Sequence, residues 1–126
     1  MQSGANAYYK TATATMSPRD LEASLLLKAA RQLQATEKNW GERPADLADA
    51  LEYNKKLWMF LLSAVTNPDN PLPPEIRQNV ANLGIFIMGQ ILEVAQDPSS
   101  DKIAVLVNLN CELAKGLRSP DLRSPA

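Results

Sequence analysis

The sequence predicts an all-α fold, a small single-domain bundle of four main helices with an N-terminal helical arm and a disordered C-terminal tail. Three observations carry this. Proline-based helix punctuation recurs four times along the chain. Between those points the apolar residues repeat at the three- and four-residue spacing of a helix face. The 126 residues, 45% hydrophobic and 21% charged, bound the chain to one packed unit with enough apolar surface to offset its conformational entropy. The expected division is an arm over 1–16, a helical domain over 17–117 and a tail over 118–126.

The arm places Ala5, Tyr8, Tyr9 and Ala12 on one face, while its threonines lower helix propensity, so it is expected to be helical only when docked. Helix one opens at Ser17-Pro18-Arg19-Asp20, a hydroxyl N-cap before a proline at the first helical position, with a carboxylate where the helix dipole favours it. Its core face is Leu21, Leu25, Leu26, Ala29, Ala30 and Leu33, with Leu27 opposite.

Helix two starts at Pro44. Leu47, Leu51, Asn54, Trp58, Leu61 and Val65 form its seam, with an amide in the middle. A core-facing Asn54 has two readings: an amide bonded to backbone or a neighbouring helix that fixes register, or a contact to a partner.

Helix three follows Pro71, Pro73 and Pro74 and carries two apolar stripes. One is Ile76, Val80, Leu83, Ile87, Ile91 and Val94; the other, almost opposite, is Ala81, Ile85, Met88, Leu92 and Ala95. Two stripes require two neighbours. Either the helix is central in the bundle, or its second stripe is a groove for a partner helix, for which Met88 and the small Gly84 and Gly89 are suited.

Helix four opens after Pro98 at Ser99-Ser100-Asp101, runs a seam through Ile103, Leu106, Asn110, Leu113 and Leu117, and is expected to end with a left-handed cap at Gly116. The repeated Leu-Arg-Ser-Pro elements beyond it cannot build a core.

Catalysis is disfavoured. The chain has no histidine and one cysteine, so His-dependent triads and zinc-type thiolate clusters are excluded, and no phosphate-cradling glycine loop is present. No catalytic, cofactor-binding or metal-binding residue is assigned. Cys111 reads as a small buried hydrophobe, and Asp46 with Asp49 as solvated dipole partners. A net charge of -1 and a pI near 5.4 argue against direct nucleic-acid contact, and Lys55 and Lys56 are too few for a basic patch. No run approaches the ~20 apolar residues of a membrane span. With a lone cysteine and no signal segment at the start, the expected compartment is the cytoplasm.

Several blocks in order resemble the FlaF family of flagellar biosynthesis regulators from alphaproteobacteria. They are Asn6-Ala7-Tyr8, Ser17-Pro18-Arg19 with Glu22, Leu47-x-x-Ala50-Leu51-x-x-Asn54-x-x-Leu57-Trp58, Asn70-Pro71-Leu72-Pro73, and Ile76-Arg77-x-Asn79-x-Ala81-x-Leu83-Gly84. Lys55 departs from the family's usual Gln after the helix-two Asn, and Phe86 fills the aromatic position after the glycine block. The resemblance implies a cytoplasmic factor that binds flagellin before secretion and acts beside a second regulator, FlbT, of flagellin translation. An apolar helical groove is how an all-helical protein would hold an amphipathic flagellin end. The partner-binding candidates are Tyr8, Leu27, Asn54, Trp58, Phe60, Ala81, Ile85, Met88 and Leu92.

Overall fold

The computed structural model describes residues 17–119. Four helices follow in order: α1 (Pro18–Gln34), α2 (Pro44–Thr66), α3 (Pro74–Gln96) and α4 (Ser100–Leu117). Three of them begin on the proline that marks them in the sequence, because a missing N–H costs nothing where the helix has no acceptor for it. The two serine caps also form: Ser17 Oγ accepts from the Asp20 amide at 3.2 Å and Ser99 Oγ from the Lys102 amide at 3.1 Å. The end of α4 differs from expectation. Gly116 lies inside the helix and no described glycine has a positive φ; the Arg118 amide instead continues to Ala114 O, and Leu117 is buried. Burial of that last leucine favours one more helical turn over a left-handed stop.

α1 packs chiefly on α4 and α2 chiefly on α3, with lesser α1–α2 and α3–α4 contacts closing the bundle. The first and last helices are therefore neighbours. Their shared core includes Leu26, Ala29, Leu33, Ile103 and Leu106, all fully buried, and each large side chain removed from water contributes about 1.5–3 kcal/mol. The α2–α3 link over residues 67–73 is tied by Asn70, whose Nδ2 donates to Ala64 O at 3.0 Å while its Oδ1 accepts from the Leu72 amide at 3.0 Å. This bonding explains an Asn before Pro-Leu-Pro: it stops α2 and turns Leu72 into the core. At the other end, Ser100 Oγ donates to Glu37 O at 2.6 Å, and Lys102 Nζ reaches Glu93 and Asp97, each at 2.9 Å.

The expected arm over 1–16 lies outside the described residues, as does the tail from 120 on.

Candidate functional site

The two stripes of α3 have different fates. Val80, Ile87, Ile91 and Val94 are buried, whereas Ile85 is 69% exposed and Leu92 59% exposed. Leu92 lines a groove of about 610 Å³ between α3 and α2, and Ile85 continues the exposed row along α3 beyond it. Met88, Ile91, Leu92 and Ala95 line it from α3; Leu47, Ala48, Leu51 and Lys55 line it from α2. Trp40 and Pro98 close the end nearest the two links. Met59, exposed, lies one helical turn beyond Lys55 on the same side of α2 and extends the apolar rim. The stretch of α3 from Ile85 to Ala95 is about 15 Å long at 1.5 Å per residue. That length matches roughly three turns of a docked helix.

Gly84 sets how closely the two walls approach. A Cβ there would lie 2.5 Å from Leu62 Cδ2 and 3.2 Å from Trp58 Cε3, so the α3 backbone rests directly on α2 side chains. Gly84 is thus used for packing inside the bundle, not for a partner, while Gly89 has open space around it.

Between α2, α4 and α1 the core holds a polar chain. The Trp58 indole N–H donates to Asn110 Oδ1 at 2.9 Å, and Asn110 Nδ2 donates to Asn54 Oδ1 at 2.6 Å. Asn54 Nδ2 then donates to Ala50 O at 2.9 Å and to Ala29 O at 3.4 Å. An indole nitrogen only donates, so its contact fixes which way both amides face. All three side chains are fully buried, and the chain joins α2 to α4 and α1. Asn54 is bonded to backbone and to neighbouring helices, and Asn54 and Trp58, named among the partner-binding candidates, are both fully buried with their polar groups satisfied within the chain.

A second, smaller groove of about 270 Å³ lies on the other flank of α2 and at its opposite end. Pro18, Leu21, Glu22 and Leu25 of α1 face Phe60 and Ala64 of α2, with Pro71 and Leu72 from the link. Phe60 is 60% exposed there, away from Ile85, Met88 and Leu92, so the aromatic end of α2 and the second stripe of α3 form two surfaces and not one. Burial raises the Glu22 carboxyl above its ordinary value, and the nearby Arg19 charge offsets only part of this.

Of the remaining candidates, Ala81 is half-buried at the start of the exposed stripe, and Leu27 is half-buried against the core instead of facing out. Cys111 is likewise half-buried and free. Tyr8 lies outside the described residues. The sequence reading did not find Trp40 as a groove residue or Met59 at its rim: Trp40 precedes α2 and so lies outside any helical seam, and Met59 lies off the α2 seam. Among the described residues, no group of three or more Cys, Asp or Glu could hold a metal ion, and no helix is long and apolar enough to cross a membrane.

The family model for flagellar protein FlaF matches residues 4–117. The chain belongs to the FlaF family. The match takes in all four helices of this FlaF chain and stops at the last residue of α4. Searches of curated proteins and of solved structures gave no significant match. The bundle and both grooves are accordingly read from this FlaF chain alone.

Proposed function

We propose that this FlaF protein binds flagellin in the cytoplasm and supports its synthesis and secretion as an export chaperone, with the α2/α3 groove as the docking surface. The observation that carries the docking surface is the exposure of Ile85 and Leu92 on a helix whose opposite stripe is buried. A contiguous exposed apolar row beside a groove is the signature of an interaction site, and its length and shape suit the apolar face of an amphipathic helix. Met88 adds an adaptable thioether to the wall. The choice of flagellin rests on family membership and on what the FlaF resemblance implies. In this reading the protein works by binding and not by catalysis, and Ala81, Ile85, Met88 and Leu92 are the contact residues.

Calorimetric titration with purified flagellin tests this. The wild type is expected to bind, and an Ile85→Asp, Met88→Asp double variant of unchanged helicity is expected to bind at least about tenfold more weakly, the effect of losing about 1.4 kcal/mol at an interface centre. Phe60→Asp, on the other flank of α2, is expected to bind like wild type. A folded wild-type chain that binds no form of flagellin would overturn the chaperone reading. Equal binding by wild type and the double variant would move the contact elsewhere on the bundle. If flagellin leader RNA shifts only when FlbT and this protein are both present, while flagellin itself is not bound, the protein is a regulator of flagellin translation acting through FlbT.

A further inference from the structure

The groove between α1 and α2 is separate from the surface assigned to flagellin, and what covers it can be argued without that assignment. Its walls are Leu21 and Leu25 on one side and Phe60 and Ala64 on the other, so it is an apolar trough that leaves an aromatic ring largely in water. Pro18 and Arg19, the first two residues of α1, form its lip. The sixteen residues before Ser17 therefore enter the bundle at the mouth of this trough.

We propose that the occupant is this chain's own N-terminal segment, with the apolar side of residues 5–12 lying in the α1/α2 groove. Three observations support the assignment. The segment spaces Ala5, Tyr8, Tyr9 and Ala12 at three, four and seven residues, which gives one apolar face as a helix, with Lys10 on the opposite side. Residues 13–16 supply a link of about 13 Å at ~3.3 Å per residue, enough for the chain to fold back along α1. The family match begins at residue 4 and ends at residue 117, so it includes this segment while leaving out the C-terminal residues. A segment within the family match, with one apolar face, suits an apolar trough lined by the first residues of the helix it leads into. The α2/α3 groove is less accessible to it, being on the opposite flank of α2 and lined toward that helix's first turns.

Paramagnetic broadening in the full chain tests the docking. A nitroxide is attached at Ala12→Cys in a Cys111→Ala background, and the backbone amide signals of the bundle are recorded with the label oxidised and reduced. The expected result is loss of the Phe60, Ala64 and Leu72 signals while those of Met88 and Leu92 persist. Phe60→Asp, an exposed change, should restore the Ala64 and Leu72 signals. Persistence of the Ala64 and Leu72 signals in the labelled parent chain, or loss centred on Met88 and Leu92, would overturn the proposal. Broadening carried from a labelled chain to a separate isotope-labelled one would mean that a second copy occupies the groove, which also overturns it.

Discussion

The two stripes of α3 are close to equal in composition and opposite in outcome. Val80, Ile87, Ile91 and Val94 lie in the core; Ile85 and Leu92, on the same helix and of the same chemistry, face water. The first stripe is explained by the bundle itself, since α2 packs along it. The second has no helix over it among the described residues, although α3 belongs to a bundle that could have buried both. Helical periodicity identifies a face that repels water; it does not say which molecule covers it.

The largest expected separation between the stripes is in stability. Ile87→Ala removes a fully buried side chain and should lower unfolding free energy by roughly 2–5 kcal/mol, whereas Ile85→Ala should change it by no more than about 0.5 kcal/mol, both read as denaturant midpoints. Similar losses at the two sites would erase the distinction. The core side can be probed next at its polar chain. Asn110→Leu strands the Trp58 indole N–H and Asn54 Oδ1 in the interior, and should cost roughly 2–6 kcal/mol at about 1–3 kcal/mol per unpaired group.

Paired glycine variants sharpen the comparison on a smaller scale. Gly84→Ala must displace Leu62 and should destabilise by about 1–3 kcal/mol, less the gain of up to ~1 kcal/mol from helix propensity; Gly89→Ala meets nothing within 4 Å and should stabilise by up to about 1 kcal/mol. Thermal melts of both decide whether α3 is in contact on one side only. The smallest effect is expected at the other groove. Folding raises the Glu22 pKa above its ordinary 4.5, so the native state holds the proton more tightly and stability falls as pH rises from about 4.5 through the raised value. Glu22→Gln should remove that slope and leave the low-pH midpoint unchanged, as measured by denaturation across pH.

Most of the fold was legible because its signals are local. Pro18, Pro44 and Pro74 mark helix starts through a missing N–H, and Ser17 and Ser99 through a side-chain oxygen, none of which depends on the rest of the chain. Gly116 misled because a C-terminal cap depends on whether the following residue is needed in the core, and Leu117 is. The candidate site was legible in part. Periodicity picked out Ile85, Met88 and Leu92, but it put Trp58 and Asn54 with them, because a seam position looks alike whether its neighbour is this chain or another. Phe60, named with Met88 and Leu92 among the partner-binding candidates, lines a groove on the opposite flank of α2 from theirs. Side-of-helix information of that kind comes only from which helix lies next to which.

The buried amide chain also bears on which substitutions such a sequence can take one at a time. Trp58 and Asn110 are 52 positions apart, yet an indole that only donates needs an acceptor there, and an Asn oxygen left facing a non-donor would be stranded. A drift at either position alone passes through a destabilised intermediate, and Asn54 is drawn in because its oxygen depends on the Asn110 amide. The three side chains are therefore coupled energetically, and their substitutions should not add. The exposed Ile85 and Leu92 of α3 carry no such bond, so the bundle ties neither to a matching change elsewhere.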